Sequence, residues 1–124
     1  MNLKLLLCEI VDEKVRTWRI EQMQKKFNLP PNTVWVNLYH GTSIKNLNSI
    51  KKSGFKAGTW FTFDKAVADR YTSQAGGKPY TMFVRVYLGA LTPSQDYIVS
   101  QEPLVPTLSG FVPKDLVRTA RELE

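Results

Sequence analysis

His40 is the only histidine among the 124 residues, and it lies in the run LYHGTS at residues 38–43. An imidazole at the end of a strand can hydrogen-bond a polar ligand, and Gly41 directly after it allows close approach. A lone histidine is more often structural, so the residues downstream decide the interpretation. Further candidates follow in order along the chain: Thr42, Trp60, Phe61, Tyr71, Asp96 and Glu102. One imidazole, several aromatic faces and a carboxylate suit a flat, polar ligand.

The composition is that of one ordinary globular domain, with 43% hydrophobic and 23% charged residues. The single cysteine, Cys8, excludes an internal disulfide and a cysteine-rich zinc site, so we expect no metal and a reducing, cytoplasmic setting. The apolar start, MNLKLLLCEIV, is broken by Lys4 and is interpreted as a buried strand rather than a signal peptide. Nothing approaches the roughly 20 apolar residues that a membrane-spanning helix requires.

The formal net charge is +6, and part of it is concentrated in one short segment. That segment carries Lys45, Lys51, Lys52 and Lys56. A basic surface favours acidic partners, such as nucleic acid or a phosphorylated small molecule. Solvated lysines that only aid solubility are the alternative interpretation.

The first half of the chain predicts a strand, a helix, a second strand and a second helix. Residues 2–11 predict a strand, and helical spacing from about Asp12 predicts a helix that ends by Leu29, before two prolines. Residues 34–39 alternate as a strand that delivers His40 at its end. Ser43 is then a candidate N-cap for a helix that stops at Gly54.

The second half predicts a short strand at 59–63, a helix from Asp64 through Tyr71, and a strictly alternating strand at 80–88. Two more strands are predicted near 97–105 and 115–122, although the last segment also fits a helix. Together these elements predict an α+β protein with several strands and about three short helices.

The run LYHGTSIKNLNSIKKSGF, followed by GTWFTFDKAVADRYTSQAGG and MFVRVYLGAL, resembles the catalytic core of the ADP-ribosyltransferase superfamily. It is most similar to the poly- and mono-ADP-ribosyl transferases that carry a His-Tyr-Glu triad. The resemblance covers residues 36–91 well and 96–118 loosely, and residues 1–33 lie outside it. It implies a single catalytic domain over residues 1–124, in which two small antiparallel sheets form a cleft for NAD.

The resemblance also implies a role for each matching residue. His40 would hydrogen-bond a ribose hydroxyl of NAD, and the Gly41 backbone would bind the nicotinamide carboxamide. Trp60 stands where the family has its first tyrosine, and Tyr71 matches the second, whose ring stacks on nicotinamide. The set of expected NAD contacts is His40, Gly41, Thr42, Trp60, Phe61 and Tyr71. Ala68 falls where many relatives have a serine.

The third triad member must be a carboxylate, and two residues compete for that role. Glu102 lies ten residues before the segment that begins at Val112, a spacing similar to that of the family, and it is the first choice. Asp96 precedes Tyr-Ile-Val, which looks like the family's Glu-Tyr-Ile-Val, and it is the second choice. Either carboxylate would stabilise the oxocarbenium-like sugar that forms as nicotinamide leaves.

The resemblance implies an NAD-dependent glycosyltransferase that acts without a metal, as a monomer, away from membranes. Its acceptor would be a protein or a nucleic acid, and the small size suits a bacterial or phage effector or toxin. Two alternatives stay open. One is a catalytically degenerate module that binds NAD, ADP-ribose or nucleic acid, and the other is a tRNA 2′-phosphotransferase-like enzyme.

Overall fold

The computed structural model describes residues 12–72 and 77–117, which form three helices, seven strands and two short 3₁₀ turns. The helices are α1 Glu13–Phe27, α2 Ile44–Ser53 and α3 Lys65–Thr72. The strands are β1 Trp35–Ser43, β2 Trp60–Phe61, β3 Pro79–Tyr87, β4 Leu91–Pro93, β5 Ile98–Ser100, β6 Leu104–Pro106 and β7 Phe111–Pro113. The 3₁₀ turns are Leu88–Ala90 and Lys114–Leu116. The predicted α+β class is confirmed.

The strands form two small sheets, with the orders β1-β3-β7-β6 and β2-β5-β4. The second sheet is antiparallel throughout, as expected. The first sheet is mixed, because β3 and β7 run parallel while its other pairs are antiparallel. A parallel pair needs a long connection, and the chain from β3 to β7 supplies one by building β4, β5 and β6 in between.

Helix α1 begins and ends where the sequence predicts. The Asp12 carboxylate accepts a hydrogen bond from the backbone N–H of Lys14 at 2.8 Å, which caps the first turn. Asn28 then takes the left-handed conformation, with φ 53°, and ends the helix ahead of Pro30. The strand predicted at 2–11 lies outside the described residues.

Strand β1 is longer than predicted, and this changes the position of His40. The strand pairs with β3 over nine residues, from Trp35 opposite Tyr87 to Ser43 opposite Pro79. His40 therefore lies inside the strand, opposite Met82, and not at its end. The sequence prediction stopped early because Gly41 breaks the alternation of side chains, whereas the long partner strand β3 keeps the backbone extended.

Helix α2 is bounded by the two predicted residues. The Ser43 hydroxyl accepts a hydrogen bond from the backbone N–H of Asn46 at 3.3 Å. Gly54 ends the helix with φ 85°, and a side chain there would bring a Cβ atom within 1.7 Å of the Leu104 carbonyl oxygen. Only glycine allows the chain to turn at this point and pass so close to β6.

The strand predicted at 97–105 is wrong in its centre. Strand β5 ends at Ser100, a turn follows, and β6 begins at Leu104. Glu102 lies in that turn rather than in an apolar strand. At the end of the chain, the structure has a 3₁₀ turn over Lys114–Leu116, and residues beyond 117 lie outside the described part.

One hydrophobic core joins the inner faces of both sheets with α1 and α2. Its completely buried members include Met23 of α1, Leu38 of β1, Phe61 of β2 and Leu104 of β6. Burial of such side chains provides the main free energy that holds the elements in place. Within residues 12–72 and 77–117, no helix combines the length and the apolar character needed to cross a membrane.

Candidate active site

The site forms where β1 and β2 separate from one another. Strand β1 and the residue that follows β2 share one pair of backbone hydrogen bonds, in which Tyr39 and Thr62 donate to each other at 2.8 and 3.0 Å. Beyond this pair, β1 continues along β3, while β2 joins β5 in the other sheet. Backbone polar groups alternate sides along a strand, so the N–H of Gly41 faces the same edge as that of Tyr39. A ligand at this edge can therefore reach the Gly41 backbone.

The imidazole of His40 bridges the two strands at the point of separation. Its Nδ1 lies 2.9 Å from the carbonyl oxygen of Trp60. A carbonyl oxygen can only accept, so Nδ1 carries the proton and donates it. In the neutral imidazole, Nε2 is then the hydrogen-bond acceptor. The ring is held from the core side by Phe55 and Phe61, with centroids 5.2 and 5.6 Å away.

The pKa of His40 is lowered from its usual value of 6.5. Burial of the ring has the largest effect, because a charged imidazolium loses its hydration there. The hydrogen bond to the Trp60 carbonyl raises the pKa and offsets only part of this. His40 is therefore neutral at pH 7 and presents an acceptor, not a charge.

We expect stability to decline as the pH falls through the usual imidazole pKa of about 6.5. Above the pKa of the unfolded imidazole, about 6.5, both states are neutral and stability is full. As the pH falls below it, the unfolded chain takes up the proton first, so folding becomes less favourable until the lower, folded pKa is reached. Urea unfolding at several pH values measures this decline, and the variant His40→Gln should show less of it.

Because the chain has one histidine, NMR follows its titration without ambiguity. The midpoint of the imidazole proton shift should lie below 6.5 in the folded protein and return to about 6.5 in urea. A folded midpoint above 6.5 would contradict the lowered pKa of His40.

A cleft of about 470 Å³ opens beside His40, between β1, α2 and the segment that leads into β2. This volume lies within the range of small-molecule sites. The polar side chains that line the cleft come from His40, Thr42, Asn46, Ser49, Lys56 and Thr59. Asn46, Ser49 and Ile50 lie three and four residues apart, so they share one face of α2. The sequence interpretation missed Asn46 and Ser49, although this helical spacing was visible in the sequence, and it named Lys56 only as one lysine of the basic segment.

Ser100 supports residues 56–59, which form one wall of the cleft. Its hydroxyl donates to the Lys56 carbonyl at 3.2 Å and accepts from the Thr59 N–H at 3.1 Å. Its backbone N–H donates to the Thr59 carbonyl, and its carbonyl accepts from the N–H of Gly58. These four hydrogen bonds fix the turn ahead of Trp60. Because Ser100 is completely buried, its role is to support the wall.

Three aromatic rings meet at the Trp60 side of the cleft. The Trp60 centroid lies 3.9 Å from that of Tyr71, edge to face, and 4.7 Å from that of Tyr97. The Tyr71 and Tyr97 hydroxyls are hydrogen-bonded to each other, and this bond raises the pKa of Tyr97. We call these three residues the aromatic cluster. The sequence interpretation missed Tyr97, because it used the run Asp-Tyr-Ile-Val only to propose Asp96 as a carboxylate.

Gly41 has a structural requirement that its sequence context does not reveal. A Cβ atom there would lie 2.1 Å from the carbonyl oxygen of Ala68 in α3. The missing side chain lets α3 pack directly on β1, and α3 carries Tyr71 into the aromatic cluster. Helix α3 thus occupies the space where a side chain of residue 41 would lie. The backbone N–H of Gly41 points instead along the sheet, towards the edge where β1 and β2 separate.

The other predicted NAD contacts differ in position. Thr42 lines the cleft, although only 3% of it is exposed. Phe61 is completely buried, so it supports the His40 ring from the core and offers no face to a ligand. The prediction that Phe61 contacts NAD is therefore not supported. A β-strand alternates its faces, which places Phe61 and Trp60 on opposite sides.

Glu102 is held by two arginines of α1 and lies outside the residues that line the cleft. Arg16 donates to both of its carboxylate oxygens, at 2.5 and 3.1 Å, and Arg19 donates at 2.6 Å. Arg16 also forms two hydrogen bonds of 2.9 Å with Asp115. Burial lowers the pKa of Arg16, but the bonds to the two carboxylates outweigh it and raise that pKa. Glu102 is therefore part of a buried ion cluster that anchors α1.

Asp96 lies next to the aromatic cluster. It is exposed at the turn before β5, directly before Tyr97, and its charge contributes to the raised pKa of that tyrosine. It also lines a small pocket of about 160 Å³ together with Lys26 and Asp64. Neither of the two predicted carboxylates lines the cleft, and Asp96 is the one that adjoins the aromatic cluster.

The last two observations concern metal ions and similar proteins. Within residues 12–72 and 77–117, no group of three or more His, Cys, Asp or Glu side chains could hold a metal ion. Searches against protein-family models, curated protein sequences and solved structures found no match to this chain. Its function is therefore argued from the site itself.

Proposed function

We propose that this protein binds NAD in the cleft beside His40 and cleaves the nicotinamide–ribose bond, transferring ADP-ribose to an acceptor. The observation that carries the proposal is the hydrogen bond from His40 Nδ1 to the Trp60 carbonyl. It fixes the tautomer of the neutral imidazole, with Nε2 as acceptor, between a cleft of ligand size and an aromatic cluster.

The first step of the proposal is the binding of the nicotinamide ribose. A ribose hydroxyl donates its hydrogen to Nε2 of His40, which orients the sugar without adding a charge. A protonated histidine could not accept this bond, and it would also oppose the positive charge that develops on the sugar. The lowered pKa of His40 suits this role, since it keeps the ring neutral at physiological pH.

The second step places the nicotinamide ring at the aromatic cluster. Trp60 and Tyr71 offer ring faces, and the Gly41 backbone at the diverging strand edge can bind the carboxamide. Trp60 and Tyr71 touch edge to face at 3.9 Å, so a stacked nicotinamide requires Tyr71 to move aside. Tyr71 is the seventh of the eight residues of helix α3, so this movement takes place in the last turn of a short helix.

Lys56 supports the binding of a phosphate-containing ligand. It is exposed at the cleft, and the described residues that line this cleft include no Asp or Glu. The diphosphate of NAD carries negative charge, so Lys56 is the side chain that would pair with it. The hydroxyl and amide groups of Ser49 and Asn46 can supply further hydrogen bonds to ribose and phosphate.

The chemical step breaks the bond between C1′ of the ribose and the nicotinamide nitrogen. The electron pair goes to the nitrogen. Neutral nicotinamide departs, and the sugar becomes oxocarbenium-like. The acceptor then bonds to C1′ and loses its proton. We assign the stabilising and proton-accepting carboxylate to Asp96, because both oxygens of Glu102 already accept hydrogen bonds from arginines. Asp96 adjoins Tyr97 of the aromatic cluster.

The absence of Asp and Glu among the described cleft residues also favours a second candidate function. In that case the protein binds NAD or ADP-ribose without cleaving it. The two candidates agree on the cleft and differ only in turnover. In the first candidate function, the transferase, the acceptor is a protein or a nucleic acid.

The test measures nicotinamide release from NAD and NAD binding by calorimetry, in parallel. The proposal predicts both activities in the wild type, and His40→Ala should weaken binding about tenfold through the lost hydrogen bond. Leu108→Ala, at a residue that is 95% exposed, is the matched control and should change neither. Binding without release would establish the second candidate, and no binding would refute both.

A further inference from the structure

The outer face of the ladder between β1 and β3 carries three exposed side chains beside two half-buried aromatic ones. We call it the outer face and define it by Trp35, Asn37, Tyr39, Phe83 and Arg85. Antiparallel pairing sets Asn37 opposite Arg85 and Tyr39 opposite Phe83. The set is therefore compact, because directly opposed residues of adjacent strands have neighbouring side chains.

The alternation of the strands explains why these residues point away from the core. Their neighbours Val36, Leu38, Val84 and Val86 are buried in the hydrophobic core. Residues next to each other along a strand face opposite sides, so the outer face is turned to solvent. Helix α3 covers only the far end of this ladder, at Gly41.

Aromatic exposure on the outer face is high for a folded domain. Phe83 is 61% exposed, and its ring lies 4.7 Å from that of Tyr39. The guanidinium of Arg85 lies 4.7 Å from the centre of the Trp35 ring. A phenylalanine has no hydrogen-bonding group, so the exposed ring of Phe83 can interact with another molecule only by apolar or stacking contact.

The charge of the outer face identifies the kind of molecule. Strands β1 and β3 contain no Asp or Glu, and Arg85 is their only arginine or lysine. Asp69, which accepts a hydrogen bond from Thr81 at the rim, is also paired with Lys65 at 3.0 Å. The two strands therefore present one cation and no anion of their own, which suits an anionic ligand.

We infer that the outer face binds a single-stranded nucleic acid. Bases would stack on Phe83 and Tyr39, the Arg85 guanidinium would pair with a backbone phosphate, and the Asn37 amide would reach a base edge. Exposed aromatic residues on a sheet, interleaved with cationic and amide side chains, form the usual platform for unpaired bases. A protein partner would not require the lack of acidic residues on both strands.

This site does not depend on the proposed NAD chemistry. His40 and Thr42 face the cleft, whereas Tyr39 lies on the opposite side of β1. The two sites can therefore be tested separately. Failure of one measurement does not decide the other.

The test is fluorescence anisotropy with a labelled, mixed-sequence single strand of about ten nucleotides, as RNA and as DNA. We expect binding by the wild type. Phe83→Ala should weaken it about tenfold, and Phe83→Trp should retain it, because a larger ring still stacks. Arg85→Ala should weaken binding and reduce the slope of log affinity against log salt by about one.

Two exposed residues elsewhere supply the controls. Leu108→Ala removes an exposed apolar side chain and is the control for Phe83→Ala. Lys114→Ala removes an exposed cation and is the control for Arg85→Ala. Neither control should weaken the binding of the single strand. Phe83→Ala should also leave thermal unfolding and nicotinamide release unchanged. Three results would overturn the inference: no binding by the wild type, equal loss in the two controls, or tighter binding of duplex than of single strand.

Discussion

Replacing Glu102 by glutamine is expected to lower the free energy of unfolding by about 3–5 kcal/mol. The substitution keeps the size and shape of the side chain but removes its charge. Arg16, which is 5% exposed, and Arg19 would then be left with too little negative charge around them. A folded domain is stable by only about 5–15 kcal/mol, so the loss is a large part of the total.

The contacts of Glu102 explain the size of this effect. Its side chain is 10% exposed and accepts three hydrogen bonds from two arginines of α1. Arg19 also donates to the carbonyl of Gly89, so the cluster links α1 to the turn after β3. Breaking a buried ion pair on one side costs more than a surface pair, because the remaining charge stays away from water.

Urea unfolding of Glu102→Gln and Asp115→Asn measures the difference. Asp115 bonds the same Arg16, but its side chain is 45% exposed, so its loss should cost about 1 kcal/mol or less. The double variant Arg16→Met, Glu102→Leu removes Glu102 together with the more buried of its two arginines and should recover part of the stability. A Glu102→Gln protein with wild-type stability but no nicotinamide release would instead make Glu102 the reacting carboxylate.

Replacing Asp96 by asparagine is expected to reduce nicotinamide release about 100- to 1,000-fold, with little change in stability. Asparagine keeps the shape of the side chain but carries no charge to stabilise the oxocarbenium-like sugar. Stability should be nearly unchanged because Asp96 is exposed in the turn before β5. NAD affinity should also change little, since the developing positive charge exists only in the transition state.

Single-turnover assays and thermal unfolding of the same preparation separate the two effects. Asp96→Glu restores a carboxylate and should recover part of the rate. Glu21→Gln, an exposed carboxylate on α1, is the matched control for the loss of one negative charge. If Asp96→Asn releases nicotinamide as fast as the wild type, Asp96 has no part in the chemical step.

The two substitutions together assign a role to each carboxylate. The ion cluster predicts loss of folding for Glu102, and the proposed function predicts loss of turnover for Asp96. Sequence spacing had ranked them in the opposite order, since Glu102 lay at a family-like distance from Val112. That spacing counts residues along the chain and contains no information on α1, whose arginines lie 83 and 86 residues away from Glu102.

Local signals were sufficient for the boundaries of the helices. Ser43 was predicted as a cap, Gly54 as a helix end and Asp12 as the approximate start of a helix, and the structure has each of them in that place. Such signals act within one turn of a helix, so a short stretch of sequence contains all the necessary information. The strict alternation of β3 was equally informative, because one of its faces is buried in the core.

The sequence by itself determined the α+β class, the extent of the helices and the order of His40, Trp60 and Tyr71 along the chain. Only the tertiary structure decided that Tyr97 joins the aromatic cluster, that Glu102 anchors α1 and that Gly41 makes room for α3. The physical reason is distance along the chain. Caps and periodicity depend on residues a few positions apart, whereas these three contacts join segments that meet only when the elements pack.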